Sequence, residues 1–348
     1  MASYHDILEI PTLLRVVEAF PPDSSWLMDQ FASEGEVFET EEIEIQTKKG
    51  HRPLAPYVNE LLPGKVVLRS GWTSKTWKPA LLKPMRVITR HDLKVKQAGE
   101  TLINPKTPEE RYQELVTQDL AELIETIDRR KMQQLSDIMF KGTTEQIGEG
   151  VHQVLDWEFT NKTILSGDDL FSNPTTDVLA FLEEWKLAVM RKSGKTPTKL
   201  LATADVATRI MRHETVLALI KTDNTAVITP GQLNQQIQAG TDGVIFHGYL
   251  AQVGLSVWSY TNSYTDEEGV EVPYIPEGTL ALLPEGKPFQ FMYGANLVGE
   301  DDNIKLARAK IFPQVFFNRE PVSRKLQLLS KPICVPENVD GWYVAKVL

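Results

Sequence analysis

A single cysteine, Cys334, is all the sulfur chemistry this chain offers, which excludes an internal disulfide framework and any multi-cysteine metal site. Long apolar runs are missing too. Nothing approaches the ~18 uninterrupted apolar residues of a membrane-spanning helix. The opening "MASYHDILEI" lacks the basic and apolar regions of a signal peptide. The expectation is a soluble, intracellular protein. Nucleotide loops of the GxGxxG and GxxxxGK[ST] kinds are absent, as is a GxSxG elbow. His5, His51, His91, His152, His213 and His247 are scattered without paired ligand spacing, so each reads as a surface or packing histidine. Cys334 sits between Ile333 and Val335 on an apparent strand and reads as a buried small hydrophobe. Acidic clusters at Asp168-Asp169, Asp266-Glu267-Glu268 and Glu300-Asp301-Asp302 lack a calcium-loop pattern and read as solvated turns. No catalytic residue, cofactor site or metal site is assigned, and no enzyme activity is expected.

Positive charge is in short supply overall: 37 Lys+Arg stand against 47 Asp+Glu in 348 residues, a net charge of −10. That balance disfavours a general nucleic-acid binder, whose affinity comes from cations neutralising phosphates. The charge is strongly segregated. Residues 1–44 hold eleven acids against Arg15 alone, residues 47–99 hold twelve Lys+Arg against Glu60 and Asp92, and residues 100–128 hold eight acids against Lys106 and Arg111. Such blocks are either solvated faces or complementary surfaces, within one chain or between neighbours.

The first 46 residues read as an arm: a short amphipathic helix at Ile10 to Phe20 stopped by Pro21-Pro22, then "SSWLMDQFA" and an acidic extension. "EIEIQ" (Glu42 to Gln46) alternates as a half-buried strand does. Lys48 to Pro84, including "KVVLRSGWTSKTWKP", reads as a long two-stranded hairpin turning at Ser70-Gly71. It has too few apolar positions to stand alone, because an isolated hairpin is marginal in water. "MRVITRHDLKVK" resumes a strand pattern.

Thr107 to Gly142 gives the strongest local signal. Thr107 and Glu110 form a capping box, Pro108 takes the first helical position, and Gly142 is the stop. Apolar residues from Tyr112 to Met139 follow helical spacing, with acids early and Arg129, Arg130, Lys131 and Lys141 late, matching the macrodipole. A helix from Pro108 to Lys141 would run ~51 Å. Beyond Thr175 the pattern is mixed: "TTDVLAFLEEWKLAVMRKSG" as a helix, "PTKLLATADVATRIMRHETVLALIK" as strand, turn and helix, then short strands and a closing "GWYVAKVL" strand.

The order of arm, basic hairpin, long capped helix and mixed domain resembles the major capsid protein of tailed bacteriophages, the Hong Kong 97-type fold, and in particular the phage lambda coat-protein family. The resemblance is carried by "YVNELLPGKVVLRSGWTSKTWKPALLKP", by "INPKTPEERYQELVTQDLAELIETIDRRKMQQLSDIMFKG", by "HGYLAQVGLSVWSY" with "EGVEVPYIPEGTLALLP", and by "ARAKIFPQVFFNREPVSRKLQLLSKPICVPENVDGWYVAKVL". It implies an α+β fold: an N-terminal arm (1–46), an extended loop (47–82), a peripheral domain with a spine helix (83–171, with a return strand near 316–335) and an axial domain (172–315, with a final strand near 341–348). It also implies self-assembly into hexamers and pentamers of an icosahedral shell in the virion, built in the bacterial cytoplasm. Scaffold, portal and decoration proteins would be partners, and double-stranded DNA would be enclosed without sequence-specific binding. No membrane contact is implied, and no Lys–Asn crosslinking is expected of a lambda-type relative.

Charge and resemblance together nominate contacts between subunits. On the extended loop these are Lys65, Arg69, Trp72, Lys75, Trp77 and Lys78, with the tryptophans as apolar anchors. On the spine helix they are Glu109, Glu110, Glu114, Asp119, Glu122 and Glu125. The basic loop is expected to lie on the acidic half of a neighbour's spine helix or on its acidic arm. The alternative is a nucleic-acid-binding protein using the basic, Trp-containing hairpin 65–79, where cations interleave with aromatics as in single-strand binders.

Overall fold

The computed structural model describes residues 10–19, 25–48, 72–89, 91–92, 107–217, 243–300, 303–320 and 322–348, with positions 55, 57, 58 and 63. One helix organises it. The spine helix spans Pro108–Phe140, 33 residues, or ~50 Å at 1.5 Å per residue. Its start follows the sequence signal. The Thr107 hydroxyl accepts from the Glu110 amide at 3.3 Å, and the Glu110 carboxylate accepts from the Thr107 amide at 2.8 Å. Its end is set by Gly142, whose φ of +76° lets the amide turn back to the Asp137 and Ile138 carbonyls.

The macrodipole expectation is corrected at this end. The last turn holds no cation, and Lys141 is the C-cap residue, paired with Asp137 at 2.8 Å. Arg129, Arg130 and Lys131 sit well before the terminus, where the dipole has little effect, and their partners are carboxylates instead.

The helix belongs to two cores. Tyr112, Val116, Leu120, Leu123, Ile124 and Ile127 pack against Ile88, Leu326 and Leu328 of a three-stranded antiparallel sheet, ordered Phe312–Arg319, Val322–Leu329, Met85–Thr89. Leu13 and Val17 of the Ile10–Ala19 helix complete that cluster. Met132, Leu135, Ile138, Met139 and Phe140 enter a second core, facing a sheet of Ala32–Val37, Phe289–Tyr293 and Pro332–Pro336. A helix whose two halves bury different apolar faces against different sheets cannot be shortened without disconnecting them.

The mixed domain is built on a six-stranded sheet, ordered Lys162–Ile164, Tyr343–Lys346, Thr279–Pro284, Pro197–Ala202, Leu255–Tyr260, Val244–Leu250. Alternate residues serve opposite layers. Leu200, Ala202, Leu280 and Leu282 meet the helices Val178–Ser193 and Ala204–Arg212, while Leu201, Ala281 and Leu283 join the spine-helix core. Burial on both sides explains why "TLALLP" is apolar at nearly every position. The last strand is pinned by Trp342, whose indole donates to the Met139 carbonyl at 2.9 Å and stacks on Phe159 with ring centres 4.6 Å apart.

The segment expected as an arm is partly built into this core. Leu27, Phe31, Ala32, Ile43 and Ile45 are buried in the spine-helix cluster. Ala32–Val37 adds a parallel strand beside Phe289–Tyr293. A buried ammonium fixes it there. Lys131, 5% exposed, holds Glu34 at 2.7 Å and Asp128 at 3.3 Å, and lies over the rings of Phe291 and Tyr293 at 5.1 and 5.9 Å. The other Glu34 oxygen accepts from the Tyr293 hydroxyl at 2.6 Å and from Lys310 at 3.2 Å. Burial raises the Glu34 carboxyl, but the Lys131 charge and hydrogen bond, the Tyr293 hydrogen bond and the Lys310 charge outweigh it and hold the group below its ordinary value. Cys334 is fully buried in the same core, and burial pushes its thiol up.

Three outcomes follow from these contacts. A Cβ on residue 142 would lie 2.5 Å from the Phe159 Cβ in a left-handed backbone, so Gly142→Ala should cost about 1–3 kcal/mol in denaturant unfolding. Lys131→Met removes the cation beside the buried Asp128 carboxylate and should cost about 3–5 kcal/mol at neutral pH. Glu34→Gln should be less stable than wild type at pH 7, because a depressed carboxyl stabilises the fold above its unfolded value of about 4.3. That contribution is lost as the pH falls through the folded value, so in unfolding curves the gap between the two proteins should begin to narrow below about pH 4.3 and close only below the folded value.

Candidate functional site

The nominated surfaces begin at the base of the extended loop. Trp72–Trp77 pairs antiparallel with Ile43–Lys48, in the register Trp77 opposite Ile43, Lys75 opposite Ile45 and Trp72 opposite Lys48. Among the described residues the strand beside Trp72–Trp77 is "IEIQTK". The reason is burial: Ile43 and Ile45 are fully inside, and directly opposite residues share a face. Lys65 and Arg69 lie outside the described residues, as does the proposed turn.

Trp77 packs, half-buried, on the spine-helix core of its own chain, so its described contacts are internal. Trp72 is placed at the far end of the strand, opposite Lys48 and away from the Ile43–Trp77 anchor. Lys75 reaches the Glu158 carboxylate at 3.2 Å and the Asp156 carbonyl at 3.3 Å. Lys78 pairs with Glu41 at 2.6 Å, and Lys331 pairs with the other Glu41 oxygen at 3.1 Å. Hydrogen bonds from Lys78 and Lys331 hold the Glu41 carboxyl below its ordinary value, and the same bond raises Lys78. Thus part of the charge complementarity expected between subunits is satisfied within one.

The acidic strand segment makes this general. Glu34 meets Lys131 and Lys310, Glu39 meets Arg308 at 2.8 Å, and Glu41 meets Lys78 and Lys331. Arg308, Lys310 and Lys331 carried no local signal in the sequence, since they stand roughly 270–290 positions from their partners and only the fold juxtaposes them.

The spine-helix acids divide by their neighbours. Glu109 and Glu110 are exposed in the first turn, and Glu110 is spent on the cap. Glu114 is exposed one turn later. Glu122 takes Arg86 at 2.6 Å, and Glu125 takes Arg129 four residues on at 3.0 Å. Both pairs are exposed, where such contacts are worth ~0–1 kcal/mol. Asp119 is half-buried between these groups. Burial raises its carboxyl, Arg86 opposes that, and the charges of Glu122 and Asp92 reinforce it. Among the described residues, no group of three or more His, Cys, Asp or Glu side chains is arranged to hold a metal ion. The site is a set of charged surfaces, and its chemistry is recognition.

Comparison with known proteins agrees on one class. The family model described as Phage major capsid protein E matches residues 9–347. The major capsid protein of Enterobacteria phage P21 and the P21 prophage-derived major head protein of Escherichia coli O6:H1 are each 24% identical over 334 residues, covering 89% of this chain and 90% of the relative. A solved prophage capsid protein from E. coli CFT073 superposes with a TM-score of 0.68 at 17% identity, covering 97% of this chain and 99% of that one. The fold is accordingly the Hong Kong 97-type capsid fold, with mixed helix and strand. With a model match running from residue 9 to residue 347, the chain belongs to the Phage major capsid protein E family.

Proposed function

We propose that the chain assembles as hexamers and pentamers into an icosahedral shell around double-stranded DNA, with the basic extended loop of each subunit reaching a neighbour. The coarser statement is plain: this is a major capsid protein of a phage or prophage, a structural component of the virion shell. The observation that carries the reading is the family match across nearly the whole chain. Assembly in the host cytoplasm, a scaffold, a portal and a decoration protein belong to the same reading. Nothing among the described residues favours a nucleic-acid-binding role for the Trp72–Trp77 strand: its Lys75, and Lys78 just beyond it, already hold carboxylates or carbonyls of the same chain.

The loop's geometry supports a lending role. Its base is clamped by Ile43, Ile45 and Trp77 in the core and by two ion pairs at Lys75 and Lys78. Tyr57, earlier in the same loop, is fully exposed. Basic residues and apolar side chains held on a rigid base suit contact with another subunit. Complementary charge there would set register and encounter rate more than affinity.

Negative-stain microscopy and sedimentation of the expressed protein should show shells or capsomer-sized rings, and a strict monomer at every salt and protein concentration would overturn the assembly. Trp77→Ala should lower subunit stability by about 2–4 kcal/mol through lost core packing. Trp72→Ala should leave subunit unfolding near wild type yet reduce shell yield. Normal shells in unchanged yield from the double variant would remove the anchoring role from both tryptophans.

A further inference from the structure

Two clefts meet over the middle of the spine helix and form one groove across it. The smaller, of about 450 Å³, lies between residues 80–84, the helix at Ile127 and Arg130, and the Thr143–Gly148/Val151–Asp156 hairpin. The larger, of about 760 Å³, lies between the helix and the Ser263–Thr265/Glu271–Pro273 hairpin. The smaller cleft falls in the range that small ligands fill, roughly 300–1,000 Å³.

That cleft is lined by a buried group which its own chain leaves unanswered. Gln134 lines it at 3% exposure. Its Nε2 donates to the Pro332 carbonyl at 3.4 Å, and its Oε1 accepts from no group among the described residues. Gln146 shows the satisfied counterpart. Its Nε2 donates to the same carbonyl at 3.3 Å, and its Oε1 accepts from the Ala80 amide at 2.8 Å. A buried acceptor without a donor is costly, and folded proteins rarely keep one. The Gln134 contact to Pro332 is longer than an ordinary N–H···O bond, so the amide is held loosely and can turn its oxygen to a donor entering the cleft.

The surrounding charges favour a cationic donor. Arg130 is spent on Glu267 at 2.9 Å, and Glu145 meets Lys141 at 3.4 Å. Glu149, exposed at the hairpin turn, faces no cation among the described residues. Gln134 and Gln146 are level with each other, because they share the Pro332 carbonyl. Glu149 stands three residues along from Gln146, roughly 10 Å away at about 3.3 Å per residue. Ile147, 51% exposed, and Val151 line the stretch between, with Ile127 on the helix side. The cleft thus offers a neutral acceptor at one end, a carboxylate at the other and hydrocarbon between them.

We propose that this cleft binds a linear aliphatic polyamine, with one terminal ammonium donating to Gln134 Oε1, the other pairing with Glu149, and the alkyl chain lying on Ile147, Val151 and Ile127. Lys83 on the 80–84 wall is the opposing charge, so removing it should strengthen the complex. The site lies within one subunit, and the inference stands apart from the assembly reading.

Isothermal titration of the full-length protein with spermidine at physiological salt tests it. One saturable site is expected. Gln134→Met should weaken it about tenfold, the scale of a hydrogen bond to a charged group, and Pro332 keeps Gln146 as its donor in that variant. Glu149→Gln should weaken it about fivefold, the scale of a solvent-accessible ion pair, and Lys83→Met should tighten it. Glu114→Gln, exposed on the helix's first half and outside the cleft, should leave it unchanged. If Gln134→Met does not fold, Glu149→Gln decides, because that side chain is exposed and unpaired among the described residues. Absence of saturable heat overturns the site, as does unchanged affinity in Glu149→Gln or in a folded Gln134→Met. Equal weakening by Glu114→Gln means diffuse attraction to an acidic surface only, and overturns it too.

Discussion

The Lys131 ammonium, buried beside Asp128, reaching the more exposed Glu34 and capped by two aromatic rings, is the interaction on which the remaining architecture hangs. It joins the middle of the spine helix to the parallel strand Ala32–Val37 and, through Tyr293 and Lys310, to two later parts of the chain. A buried charge is expensive unless it is paired and hydrogen-bonded. That penalty works as a constraint on geometry: the strand, the helix and the sheet must arrive together for the cluster to be satisfied. Once Ala32–Val37 is fixed, Thr40 and Glu41 follow it, and the loop base at Ile43–Lys48 is placed relative to the core.

Seen this way, the charge blocks have two destinations. Much of the acidic segment is answered inside the subunit by Arg308, Lys310, Lys331, Lys78 and Lys131. The groove at Arg130 gathers a second set of carboxylates from hairpins that belong to different parts of the chain. Within the subunit, opposite charge thus locks segments that lie far apart in the sequence. Among these pairs Lys131 with Asp128 is buried on both sides, and its strength is the least sensitive to salt.

The spine helix connects the two cores. Its first half packs on the long-strand sheet, its second half on the central core, and its middle is open on the side where the clefts meet.

The helix itself was legible from local chemistry. Thr107, Pro108 and Glu110 at its start, apolar spacing along it and Gly142 at its end act within a few residues of one another, and local rules describe such contacts well. So were the helices around "LAFLEEWKLAVM" and "ADVATRIM" and the alternating strand "EIEIQ". The resemblance to tailed-phage capsid proteins was also available in the order of segments. What the sequence did not reveal was partnership. Lys75 and Lys78 look like a free basic patch until Glu158 and Glu41 are placed beside them, and Trp77 looks like an exposed anchor until Ile43 draws it inward. The groove is invisible in the chain, because residues 80–84, the helix middle, Ile147 and Glu267 are brought together only by folding. Capping and periodicity are short-range and survive in one dimension. Salt bridges, burial and concave surface depend on distances in space, and those exist only after the tertiary structure has closed.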